Sequence, residues 1–219
     1  MYPSLFLQFG FISISVLLIL SLSWLIKSKS ALIIGVTWLL TTGFIAHSGY
    51  LTDYTSLPPR MLFILFPTFI GVLILAFSSI GTSFRDLSYS IIIGFQSFRI
   101  IIEFLIHSAV TENIAPPQMS WHGMNFDIIA GITAIPVALF ASKLTKTHLF
   151  IWNTVSLFLV LFVLTVGALS IPSPIQQFTP DNTWLSYFPF LWLPTVAVAC
   201  AVFGHIILFR KLACSYNSA

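Results

Sequence analysis

The chain has 219 residues, of which 58% are hydrophobic and 7% charged, and its formal net charge is +3. A water-soluble domain carries about 25% charged residues, so this composition excludes a surface covered mainly by water and makes hydrocarbon the solvent for most of the side chains. The basic residues stand singly or in pairs at the ends of apolar runs, which argues against a nucleic-acid partner.

Seven apolar runs follow one another, each near the ~20 residues that a bilayer requires. Backbone groups in lipid must satisfy one another, so every run is expected to be a helix. The first, Leu5–Ile26, has no basic segment before it and is expected to stay as a span, not to be cleaved as a signal. Lys27-Ser-Lys29 separates it from the second, Ala31–Leu51. Leu57-Pro-Pro-Arg60 precedes the third, Met61–Ile80, and the polar stretch Thr82–Asp86 follows it. The fourth is Ser88–Val110, ended by Ala115-Pro-Pro117. The fifth, Phe126–Ser142, is short, contains Pro136 and starts beside Asp127. Lys143–Lys146 leads to the sixth, Leu149–Ser170, and Ile171-Pro-Ser-Pro174 ends that one. The seventh, Leu185–Phe209, carries Pro189 and Pro194, each of which removes a backbone donor and is expected to kink or loosen it.

Charge placement gives the topology. With seven spans, Lys27, Lys29, Arg85, Lys143, Lys146, Arg210 and Lys211 face one side and only Arg60 the other. If the fifth run were re-entrant, Lys27, Lys29 and Arg85 would oppose Arg60, Lys143, Lys146, Arg210 and Lys211. The positive-inside rule selects the first arrangement. The expected fold is therefore one all-α domain over 1–219: a polytopic bundle of seven transmembrane helices, N-terminus outside and C-terminus cytoplasmic. The expected location is a cell membrane of the bacterial inner-membrane type. Tyr50, Tyr54, Trp121, Trp184 and Tyr187 are expected at the outer interface, and Trp24 and Trp152 at the inner one. Cys200, inside a span, and Cys214, in the tail, are not expected to form a disulfide.

Chemistry concentrates on the fourth run. Gln96, Arg99, Glu103 and His107 are spaced three, four and four residues apart and so share one helix face. A charge at bilayer depth costs a few kcal/mol even on lenient scales, so this face must look into the bundle or a wet cavity. The acid lies C-terminal to the base, the weaker order for a helical pair, and toward the negative end of the helix dipole. At least one of the two is therefore expected to find a partner on another helix. Ahead of the fifth run, Asn125 and Asp127 stand where N-cap residues belong. Trp121 and His122 lie in a Pro/Gly-rich loop able either to fold over the bundle or to stay at its surface.

His47, His107 and His122 with Glu103 and Asp127 have the donor types of a zinc or iron site, or a pair of haem ligands, were they to converge from separate elements. Helical His-x-x-x-His and HExxH spacings are absent. An inner set, Asn153, Ser156 and His205, suits hydrogen bonding between helices. No lysine lies inside a run to carry a retinal Schiff base, and Walker, GxSxG, CxxC and CxxCH motifs are missing.

Three functions fit. The first is an outward-facing polar pocket that binds a small molecule or lipid headgroup, or acts on it as a membrane-embedded enzyme. There Glu103 and His107 would be the catalytic groups, and Arg99, Gln96, His47, His122, Asn125 and Asp127 the ligand-binding ones. The second is a proton-coupled or small-solute transporter with the Arg99–Glu103–His107 ladder on its path. The third is a non-catalytic membrane assembly subunit.

Overall fold

A computed structural model of the chain describes residues 2–56 and 58–216. Leu57, in the predicted Leu57–Arg60 connection, and 217–219, in the predicted cytoplasmic tail, lie outside the described residues. Among the described residues all regular structure is helical: α1 (Leu5–Leu25), α2 (Lys29–His47), α3 (Leu62–Phe77), α4 (Ser79–Arg85), α5 (Tyr89–Phe95), α6 (Phe98–Thr111), α7 (Asp127–Leu139), α8 (Lys146–Leu169) and α9 (Val198–Tyr216). A π-helical turn, Leu193–Ala197, leads into α9.

Among the described residues five segments are long and apolar enough to cross a membrane: Leu5–Leu25, Lys29–His47, Tyr89–Thr111, Lys146–Leu169 and Leu193–Cys214. They become six if α3 and α4, bent by 65° about Ser78, form one broken span. The bend has a local cause. Ser78 is extended, and its hydroxyl accepts from the Ile80 amide at 3.1 Å, capping a new helix where α3 would otherwise continue. The same chemistry starts α1, α2, α5 and α8, where Ser4, Ser28, Ser88 and Thr145 accept from backbone amides three residues on. At 13 residues, α7 is about 20 Å long, short of a ~30 Å hydrocarbon core.

Side-chain ties define the two ends of the bundle. At one end Ser4 donates through Oγ to Glu112 Oε1 at 2.6 Å, Tyr54 Oη to Ser186 Oγ at 2.8 Å, and Gln118 Nε2 to the Pro180 carbonyl at 2.7 Å. The long connections before α3, α7 and α9 therefore meet there. At the opposite end Lys211 donates to the Arg85 carbonyl at 2.8 Å, and Arg210 to the Ala76 carbonyl. These are called the long-loop end and the basic end below.

The most buried candidate span is Leu193–Cys214, which α3, α4, α5 and α8 surround. Helix α7 reaches its neighbours through small residues. Ala130, Gly131, Ala134 and Ala138 are buried, and a Cβ on Gly131 would stand 2.9 Å from the Ile100 amide nitrogen on α6. Small residues let membrane helices approach this closely.

Two expectations need correction. The last helix does not start at Leu185, so Pro189 lies ahead of it, while Pro194 falls in the π-helical turn Leu193–Ala197, the loosening expected of it. Residues 184–192 form a short helical turn and loop, and Pro194 sits in the first turn of the next helix, where its missing N–H has no partner to lose. Trp184 is not an interfacial anchor. It is 4% exposed and packs edge-on against Phe11 at 5.7 Å, with the Phe190 ring at 5.0 Å.

Candidate functional site

Tyr89–Thr111 is interrupted at Gln96-Ser97, which separates α5 from α6. Gln96, at the break, is buried, and its Nε2 donates to the Ala201 carbonyl of α9 at 3.1 Å. A Cβ on Gly204 would collide with that amide, so glycine there is what admits Gln96. Gln96 thus holds α5 against α9.

One turn on, Arg99 is buried and makes contacts to three helices. Its Nε donates to Asp127 Oδ2 at 2.7 Å and its Nη2 to Asp127 Oδ1, a two-point pair with the first residue of α7. Nη2 also donates to the Ser156 carbonyl of α8 at 3.1 Å, and Nη1 lies 3.1 Å from His205 Nε2 of α9. A guanidinium has no acceptor, so Nε2 of His205 accepts and Nδ1 carries the proton. That N–H meets Asn153 Oδ1 at 2.7 Å, while Asn153 Nδ2 donates to the His205 carbonyl at 3.0 Å. The inner pair therefore does join α8 to α9, and it also continues the Arg99 network.

Asp127 suits its place. A carboxylate at the first residue of a helix faces the positive end of the dipole, and the Asn125 side-chain oxygen accepts from the Asp127 amide at 3.0 Å. Asn125 is fully buried, and three bonds fix its orientation, because Nδ2 also donates to Glu103 Oε2 at 2.7 Å and to the Met119 carbonyl at 2.9 Å.

Glu103 stands apart from the ion pair. It is 1% exposed, and among the described residues no Lys, Arg or His forms a salt bridge with it. Its Oε2 accepts from the neutral Asn125 amide, and its Oε1 has no hydrogen-bond partner among the described residues. Glu103, Asn125 and Asp127 line a partly open cavity of about 60 Å³ between α3, α6, α8, the start of α9 and the loop residue Met119. That is room for a few water molecules. The rest of the wall is aliphatic, including Leu65, Val160, Val163, Leu164 and Pro194.

The loop 115–126 folds onto the bundle. Asn113, in the left-handed region at φ 57°, ends α6, and the Ile114 amide reaches back to the Ala109 carbonyl at 2.8 Å. Gln118, Met119 and Ser120 are buried. Trp121 stacks on His107 at 4.3 Å, and the His122 ring is 5.3 Å from that of His107. His107 is half-buried, and its Nδ1 has no partner among the described residues.

Of the eight residues expected at a site, Glu103, Asn125 and Asp127 line the cavity together. Arg99 lies behind Asp127, His107 and His122 form a separate aromatic cluster with Trp121, and Gln96 packs against α9. His47 is exposed at the end of α2 and makes no hydrogen bond or ring contact with the others among the described residues. No group of three or more His, Cys, Asp or Glu among the described residues is placed to hold a metal ion. Sequence reasoning missed the Met119 carbonyl, the His205 link to Arg99 and the part of Ile171 and Leu185 in lining the cavity. Only the polar pair Asn153 and His205 left a trace to follow.

No family model, curated protein or solved structure matches this chain.

Proposed function

We propose that the chain is a multi-pass protein of a bacterial-type inner membrane that receives a small molecule or lipid headgroup in a pocket in its outer half. Seven spans with the N-terminus outside fit the two ends described above. Glu112 and the loop Tyr50–Tyr54 meet at the long-loop end, Arg85, Arg210 and Lys211 gather at the basic end, and basic residues belong in the cytoplasm. On this reading α7 is the short fifth span: it packs against α5, α6 and α8, from Asp127 beside Arg99 to Ala138 beside Gly94. Cysteine labelling from outside intact cells tests this: Asn113→Cys is expected to label and Lys143→Cys not, and the reverse would overturn the orientation.

The single observation that carries the pocket is Glu103 Oε1, a carboxyl oxygen without a hydrogen-bond partner among the described residues, on the wall of a cavity. Glu103 touches the ligand and serves as its acid/base where the ligand has a labile proton. Asn125 and Asp127 complete the polar wall. Arg99 is a positioning residue acting through Asp127, and His107, Trp121 and His122 lie one turn nearer the long-loop end, on the approach. The test compares small molecules retained through mild-detergent purification, with metal content and visible absorption read on the same sample. Wild type is expected to retain a ligand that Val163→Phe, which fills the cavity, loses. An identical set from both would remove the pocket and leave the assembly-subunit reading.

One observation favours a second reading. From Glu103 the polar chain passes through Asn125, Asp127, Arg99 and His205 to Asn153, so it continues inward as a translocation path should. A carrier would show uptake driven by a proton gradient in liposomes that Glu103→Gln abolishes.

A further inference from the structure

The polar groups at membrane depth define the chemistry of the ligand, given that the cavity is a binding pocket as proposed above. Arg99 is compensated by Asp127 through the two-point pair and by two neutral acceptors. Glu103 is left with a neutral amide on one oxygen and open cavity at the other. An anionic ligand would face two carboxyl groups with the nearby cation already engaged. A cationic ligand bearing N–H groups would supply the missing donor and, to an ionised Glu103, its counter-charge.

The walls narrow the class further. A bare metal ion needs several oxygen or nitrogen ligands, and the cavity wall beyond Glu103, Asn125 and Asp127 is aliphatic, with no three-residue ligand group among the described residues. A quaternary ammonium is recognised by aromatic faces, and among the described residues no Phe, Tyr or Trp lines the cavity. A volume of about 60 Å³ suits a short group. We propose that the pocket binds a primary ammonium group on a two- or three-carbon chain, with an N–H directed at Glu103 Oε1 and the methylenes against Val160, Val163 and Leu164. Such a group is carried both by free short amines and by the ethanolamine headgroup of a phospholipid. The π-helical turn Leu193–Ala197 contributes Leu193 and Pro194 to the same wall, and turns of this kind occur often at functional sites.

The test uses the full chain in detergent and in phosphatidylcholine nanodiscs, reading the thermal midpoint and binding heat. The probes are propylamine, ethanolamine and choline, with phosphatidylethanolamine added to a second set of nanodiscs. Ethanolamine and propylamine are expected to raise the midpoint saturably. Glu103→Gln, which keeps the side-chain shape, is expected to weaken them about tenfold or more, the worth of a charge-assisted hydrogen bond, and Val163→Phe to abolish the effect. Stabilisation by the free amines alone identifies a soluble ligand, and stabilisation only by phosphatidylethanolamine identifies a lipid. Choline binding as well as ethanolamine, or amine binding unchanged in Glu103→Gln, would overturn the inference. If amines and phosphatidylethanolamine fail while Val163→Phe still loses a co-purified molecule of other chemistry, the ammonium assignment falls and the pocket stands. If Val163→Phe changes nothing, both fall.

Discussion

Replacing Asp127 with alanine leaves Arg99 at 2% exposure with the Ser156 carbonyl and His205 Nε2 as its acceptors, both neutral. Removing one partner of a buried pair costs about 3–5 kcal/mol, and the loss of a first-turn carboxylate from α7 adds roughly 0.3–1 kcal/mol. At about 1.4 kcal/mol per decade, the folding constant should drop by at least two orders of magnitude. The assay is an SDS unfolding titration in mixed micelles followed by tryptophan fluorescence. The decisive comparison is the double variant Arg99→Met/Asp127→Ala. Removing both charges takes away the desolvation penalty together with the attraction, and apolar replacements of buried pairs are often neutral or stabilising. The double variant should therefore be more stable than Asp127→Ala alone. Asp127→Ala within about 1 kcal/mol of wild type, or strictly additive single effects, would refute the placement of Arg99 and Asp127 as a buried pair.

Gly131→Ala places a methyl 2.9 Å from the Ile100 nitrogen and 3.2 Å from Arg99 Cβ, so it should destabilise by about 1–3 kcal/mol as overpacking does, and less than additively with Asp127→Ala in the same titration. In the loop before α3, hydrogen bonds from the Thr55 side chain and amide, with Arg60 adding its charge, hold the Asp53 carboxyl below its ordinary value of 3.8. A depressed acid stabilises the folded loop above 3.8 and loses that contribution as the pH falls through the lower folded-state value. A carboxyl-carbon NMR titration should find the Asp53 midpoint raised in Thr55→Val, and an unchanged midpoint would contradict this cause.

Spacing made the inward face of α6 legible, because residues three and four apart must share a side and a charge at membrane depth cannot face lipid. The unfavourable order of Arg99 and Glu103 also pointed to a partner on another helix, and Arg99 has one in Asp127. What spacing does not carry is which side chains meet across helices. Arg99 could have met any acid near its depth, and the choice of Asp127 follows from Gly131 one turn later, which lets α7 approach α6. Asn153 and His205 read as a local packing pair because nothing in a linear pattern places Arg99 3.1 Å from that imidazole. The late start of α9 was hidden for a different reason. Residues 185–192 are as apolar as a span, but Pro189 and Pro194 remove two donors within one short stretch, and the chain there packs as a loop with Tyr187 and Phe188 exposed and the rest buried.

Glu103 adds little to the fold. The α6–α7 link is already made by Arg99 and Asp127, and the Asn125 amide is already oriented by the Met119 carbonyl and the Asp127 amide. A leucine at 103 would face the aliphatic wall formed by Val160, Val163 and Leu164 without the penalty of burying a polar group that lacks a full set of partners. Structural need therefore explains Arg99 and Asp127 as a pair and leaves the third ionisable residue unexplained. On the proposed reading, a carboxyl with one oxygen on an amide and the other on open space is half of a recognition site, whose role is to meet what enters the cavity.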